Sequence, residues 1–198
     1  RVSGVSFIEG KYAGFCICSF VVGVGSEARQ CCLHLSELIL EKKLVRPDLV
    51  LLAGFAGGCK KDSKTGDIFF VNRILHDYPT RVEIETISHD PFFLNQNLIR
   101  FGVGATVDRV ATPAIKQGLG LKGADLVEME LKLVHDVFSN ICVPMQCLRV
   151  ILDDLGFTIP DKLGSCVEKG RLLLLPLVSF LVFNPTSAWS LFQLGLKT

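Results

Sequence analysis

Three short stretches of the chain carry side chains suited to acid–base or anion chemistry, and each closes an apolar run. They are the turn Gly54-Phe55-Ala56-Gly57-Gly58, the step Glu128-Met129-Glu130 and the pair Asp153-Asp154. Carboxyl groups brought to one cavity can carry out acid–base chemistry and accept hydrogen bonds. A glycine turn lets a ligand approach the backbone closely. Singly, each stretch also has a plain structural reading. Glycines after a strand reverse the chain, glutamates at a helix start complement its dipole, and an aspartate after a strand forms turns or caps. Gly23-Val24-Gly25 ahead of a helix can hold an anion, but a lone G-x-G is weak evidence.

Other chemistries find little support. His34 and His135 fall on helices, His76 ends a strand and His89 sits in a loop, with no metal-ligand spacing among them. The eight cysteines include no C-x-x-C, and no zinc pattern is present. Cys16, Cys18, Cys31 and Cys32 read as small buried hydrophobes. Reduced thiols and a cytoplasmic setting follow for a chain this long and apolar. There is no Walker loop, nucleophile elbow or dinucleotide fingerprint, so no cofactor is expected.

The elements that must position these residues alternate apolar runs with amphipathic stretches, which predicts an α/β fold with a largely parallel sheet. Tyr12 to Val24 reads as one or two strands joined at Gly14. Ser26 is the expected N-cap of a helix ending near Lys43, before Pro47. Asp48 to Gly54 (DLVLLAG) predicts a strand buried on both faces. Strands follow at Ile68 to Leu75, Arg81 to Ile87 and Val103 to Val110. Short helices are expected at Pro91 to Ile99 and Pro113 to Leu121. Asp125 to Glu128 predicts a strand feeding a helix that runs to about Asn140. Val143 to Leu152 predicts the last strand, which delivers Asp153 at its carboxyl end.

The chain has 198 residues, 49% hydrophobic and 21% charged, enough for a sizeable core and against disorder. Its net charge of +1 gives no bulk grip on nucleic acid. No repeat or linker divides the chain, so residues 1–198 read as a single domain, and no signal peptide is visible at the start. From Leu172 to Leu196 there is no charged residue. Pro176 and Pro185 break this tail, and its apolar part, Leu172 to Phe183, falls short of the ~20 residues that span a bilayer. An apolar helical tail buried in the protein or lying at an interface is expected instead.

The order of the motifs resembles the nucleoside phosphorylase superfamily, which includes purine and uridine phosphorylases and methylthioadenosine/S-adenosylhomocysteine nucleosidases. Pro47-Asp48-Leu49-Val50 running to Gly57-Gly58, then Gly66-Asp67-Ile68, is similar to the family's P-D-x-V strand, A-G-G turn and following G-D step. Val127-Glu128-Met129-Glu130 is similar to its V-E-M-E. Val143-Pro144, then Arg149-Val150-Ile151-Leu152-Asp153, resembles its V-P-x-x-x-x-R-x-I-S-D segment. Val107 to Pro113 and the tail look closest to the hopanoid-associated branch, whose members act on an adenosyl-lipid.

The resemblance implies a three-layer αβα sandwich with a central mixed β-sheet. It implies cleavage of a purine N-glycosidic bond by hydrolysis or phosphorolysis, with phosphate as a co-substrate in the second case. Asp153 would then be the general acid toward purine N7. Glu130 would bind the ribose hydroxyls and Met129 would pack on the ribose. Val110, Ala111 and Val127 would line the base pocket, and the turn Gly54, Phe55, Ala56 and Gly57 would face the nucleophile. A small-molecule nucleoside is the implied partner, in a homo-oligomer of two or more copies. The tail would serve as an oligomer contact or as a docking surface for a lipid-linked nucleoside.

The chain departs from the family at three points. Phe55 replaces a turn Ser or Thr, Leu152 replaces the Ser before the acid, and Leu51-Leu52-Ala53 lacks the phosphate-binding arginine. Family members open with a strand and an acidic residue that activates water, and Glu9 does not match it. Two other classes therefore stand beside the enzyme: a catalytically degenerate nucleoside-binding protein of the same fold, and a membrane-peripheral protein attached through the tail.

Overall fold

Residues 7–78, 81–87, 99–156, 167–168 and 171–172 are described by the structure, a computed structural model. Strands Phe7–Tyr12 (β1) and Phe15–Phe20 (β2) form an antiparallel hairpin. Its turn residues Ala13 and Gly14 lie at φ 48° and 86°, the sign that a tight two-residue hairpin turn requires. Among the described residues this ribbon pairs only with itself. Cys16 and Cys18 are therefore exposed, against the expectation that they are buried. Cys31 is half-buried and Cys32 fully buried, because they lie on a helix that packs.

That helix is Ser26–Leu40 (α1), which buries Ala28, Cys32, Leu35, Leu38 and Ile39 at helical spacing. Its N-cap is Gly25 rather than Ser26, and no side chain caps it. Gly25 sits at φ 55° and ψ −120°, a backbone setting that suits glycine and that a serine one residue later does not replace.

Strand Val50–Gly58 (β3) corrects two expectations. Leu52 and Ala56 are buried, but Leu51 is 55% and Phe55 64% exposed, so the strand packs on one face only. Gly57 and Gly58 continue the strand, because both pair with the three-residue strand Leu126–Glu128 (β7). The remaining elements are β4 (Ile68–Tyr78), β5 (Arg81–Thr86), β6 (Ile99–Thr106), α2 (Pro113–Leu121), α3 (Leu131–Asn140) and β8 (Met145–Asp153). Two short strands, β9 (Val167–Glu168) and β10 (Arg171–Leu172), pair with each other. His76 lies inside β4 rather than at its end, where it is buried against the Glu85 carboxylate at 2.8 Å.

The main sheet has the order β5-β4-β6-β7-β3-β8. It is mixed rather than largely parallel. The pairs β3/β8, β4/β6 and β6/β7 run parallel, whereas β3/β7, β4/β5 and β4/β8 run antiparallel. The β4–β8 ladder joins β8 back to β4, so β4, β6, β7, β3 and β8 form a closed ring of strands with β5 outside it. Helix α3 packs on this array and against α1, burying Leu131, Val134, Val137 and Phe138. The expected mixed sheet with flanking helices is the observed architecture. The expected helix at Pro91 to Ile99 lies outside the described residues up to Ile99, which starts β6, and the tail lies outside them beyond Leu172. Among the described residues no helix is long and apolar enough to cross a membrane.

Candidate active site

Asp153 owes its position to an irregularity in the β3–β8 ladder. Ala56 pairs with Ile151, but Gly57 pairs with Asp153, so Leu152 is skipped. A bulge of this kind re-aims the residue that follows it. Gly57 also pairs with Val127, which places the expected base-pocket residue and the expected acid on either side of one glycine. A Cβ at Gly57 would come within 3.1 Å of Asp153 Oδ1 and 3.0 Å of Lys116 Cε.

Lys116 reaches the acid from α2. That helix starts at Pro113 with Thr112 as N-cap, whose hydroxyl accepts from the Ile115 N–H at 3.4 Å. One turn in, the Lys116 ammonium donates to Asp153 Oδ2 and to the Asp154 carbonyl at 2.9 Å. Both Lys116 and Asp153 are buried. Burial pushes the Asp153 carboxyl above the usual carboxylate range, and the Lys116 hydrogen bond and charge pull against that rise.

A second carboxylate system forms at the start of α3. Thr106 at the end of β6 pairs with Glu128 at the end of β7, and its hydroxyl donates to Glu128 Oε1 at 2.6 Å. Glu128 Oε2 accepts from the N–H groups of Glu130 at 2.8 Å and Leu131 at 2.6 Å. This satisfies amides that a helix start leaves without partners, so the structural reading of a glutamate at a helix start holds for Glu128. The same oxygen accepts from Arg149 Nη2 at 2.6 Å, a buried ion pair.

Glu130 is held differently. Its Oε1 accepts from the Gly25 N–H at 3.1 Å, and its Oε2 lies 3.4 Å from Arg149 Nη2. Burial, then the neighbouring Glu128 charge, raises the Glu130 carboxyl above its usual range. The Arg149 guanidinium fills the space beside Gly54, where any Cβ would collide with it. The absence of a side chain at Gly54 therefore makes room for the arginine that braces both glutamates.

All ten residues expected at the site line one cavity of about 1690 Å³. Gly54, Phe55, Ala56 and Gly57 form one wall, with Val110, Ala111, Val127, Met129, Glu130 and Asp153 around it. Phe55 lies on the open face of β3 and does not plug the space. The cavity extends beneath the β1–β2 ribbon. Sequence reasoning missed Lys116 altogether and assigned no role to Arg149 or Thr106, whereas Gly25, weighed there as a weak anion-holding glycine, gives its N–H to the Glu130 carboxyl group. One signal was available: Lys116 is the sole charge in α2 and Arg149 the sole cation in β8.

No protein-family model matches the sequence, and no curated protein matches it either. Solved structures do. One is a methylthioadenosine/S-adenosylhomocysteine nucleosidase of Colwellia psychrerythraea in complex with adenine, with a TM-score of 0.61 and 18% identity, covering 79% of this chain and 73% of that one. Another is the nucleosidase of the same type from Helicobacter pylori, with a TM-score of 0.61 and 22% identity over 100% and 87% of the two chains. A third is the futalosine hydrolase of Helicobacter pylori, with a TM-score of 0.59 and 22% identity over 77% and 75%. The chain thus has the α/β fold of these nucleosidases. The likeness is one of fold, and it does not single out the hopanoid-associated branch.

Proposed function

We propose that the protein hydrolyses the N-glycosidic bond of a purine nucleoside. The observation that carries this reading is that Glu130 and Asp153, distant along the chain and each with a raised carboxyl pKa, line the same cavity. Cleavage builds positive charge on the ribose and negative charge on the departing purine. An acid that keeps its proton near neutral pH answers the second charge, and the raised Asp153 carboxyl suits donation to purine N7. Glu130 accepts from the ribose hydroxyls and faces the developing cation. Its tether to the Gly25 N–H and to Arg149 fixes its direction in advance. Met129 packs on the sugar, and Val127, Ala111 and Val110 receive the base.

Water is the better nucleophile for this cavity. Arg149, the buried arginine on its wall, is already engaged by two carboxylates and so poorly placed to take a phosphate. The nucleosidases and the hydrolase among the structural neighbours support the same choice. At about 1690 Å³ the cavity exceeds the ~300–1,000 Å³ of ordinary ligand pockets, which favours a nucleoside carrying a 5′ substituent. The test is chromatographic detection of adenine from 5′-methylthioadenosine and from adenosine, with and without phosphate. Release that needs no phosphate and disappears in Asp153→Asn is expected. Nucleoside binding without release would instead favour the degenerate binding protein.

A further inference from the structure

Lys116 makes no contact with substrate in the proposed reaction, yet it is only 1% exposed and its ammonium group meets Asp153 directly. A lysine is taken this far out of water only when its charge is matched, and here the match is Asp153 Oδ2 with the Asp154 carbonyl. Where the resembling family has a serine hydroxyl beside the acid, this chain has Leu152, and the lysine approaches from α2 instead. The Oδ2 atom is tied down, while Oδ1 lies toward Gly57, where no side chain intervenes.

We propose that Lys116 is a positioning residue for Asp153: it anchors Oδ2 so that Oδ1 presents the proton, and its charge stabilises the carboxylate formed when that proton leaves. This rests on the nucleosidase reading. In the step concerned, the Oδ1–H bond breaks and an N7–H bond forms. The C1′–N9 electron pair passes to the purine, a water oxygen bonds to C1′, and a proton from that water restores Asp153. Among the other titratable groups nearby, the Asp154 charge opposes ionisation of the acid. Cys59, just past β3, feels the Asp153 charge, but burial pushes its thiol up to about 12 and it stays neutral. The Lys60–Asp125 ion pair stands behind Cys59.

The experiment measures kcat and KM for adenine release from 5′-methylthioadenosine across pH in Lys116→Met, Lys116→Gln and Lys116→Arg, with thermal denaturation to verify folding. Loss of the cation is expected to lower kcat roughly 10- to 100-fold with little change in KM. It is also expected to move the basic limb of the kcat profile upward by about one to three pH units, because a nearby cation favours the ionised acid. Arginine is expected to return the limb to its wild-type position and recover most of kcat. If methionine prevents folding, glutamine, which still donates to Oδ2, reads the same limb. A folded neutral variant with wild-type kcat and an unmoved limb overturns the role of Lys116 alone. A wild-type protein that releases no adenine overturns the nucleosidase reading with it.

Discussion

Gly57 on β3 pairs with Val127 on one side and with Asp153 on the other, so one residue without a side chain joins the base pocket to the acid. The space it leaves is occupied from two directions, by Asp153 Oδ1 and by the Lys116 stem. A methyl group there would press on both.

Gly57→Ala is therefore expected to lower kcat for nucleoside cleavage roughly 10- to 100-fold by displacing the carboxyl group. The accompanying overpacking should destabilise by no more than about 1–3 kcal/mol. Steady-state kinetics and urea unfolding of the same preparation measure both effects, and a variant with full activity would contradict the assigned position of the acid.

Asp153→Asn keeps the shape of the acid and removes its proton. Adenine release is expected to fall by about 10²- to 10⁴-fold, the usual contribution of a general acid. Substrate affinity, measured by calorimetry with 5′-methylthioadenosine, should change far less.

Glu128 and Arg149 form a buried pair whose members lose their partner one at a time. Arg149→Met and Glu128→Gln are each expected to destabilise by about 3–5 kcal/mol. The double variant should lose less than the sum, since it leaves no stranded charge. Urea unfolding of the full cycle gives the coupling, and additive losses would show that the pair does not act as a unit.

Glu130 makes stability depend on pH. Its carboxyl is raised on folding by burial and by the Glu128 charge. A group of this kind contributes stability that is complete below its unfolded-state value and is lost as pH climbs through the raised one. Stability is expected to decline as pH rises from about 4, and Glu130→Gln should remove that share of the slope. Unfolding midpoints collected across this range test it, and an unchanged slope in the variant would disprove the assignment.

The sequence was most informative where chemistry and periodicity agreed. α2 appears with the expected bounds, α3 ends at the expected Asn140, and β8 delivers Asp153 at its carboxyl end. The ten residues given a role at the site reach one cavity, though Gly58 and Asp154 do not line it. The misreadings share a cause, which is that local pattern does not report what lies across the sheet. The run Asp48 to Gly54 reads as doubly buried, yet Leu51 faces the open cavity. Gly57 and Gly58 look like a turn and instead pair with β7, a partner more than sixty residues away. Lys116 goes unnoticed within a short helix, because only tertiary packing carries it to Asp153.

The closed ring of strands has a further consequence for which parts of the site can adapt. β8 is bonded along one edge to β3 and, over Cys147–Val150, along the other to β4, so Arg149 is moored on both sides and Asp153 is held by its pairing with Gly57. The β1–β2 ribbon borders the same hollow and lacks such moorings among the described residues. Differences in ligand size must then be absorbed by the ribbon, while the proton-handling end keeps its geometry. Amide exchange should be slowest along Cys147–Ile151 and fastest along Ile8–Ser19, a division of labour between a stiff anvil and a pliant cover.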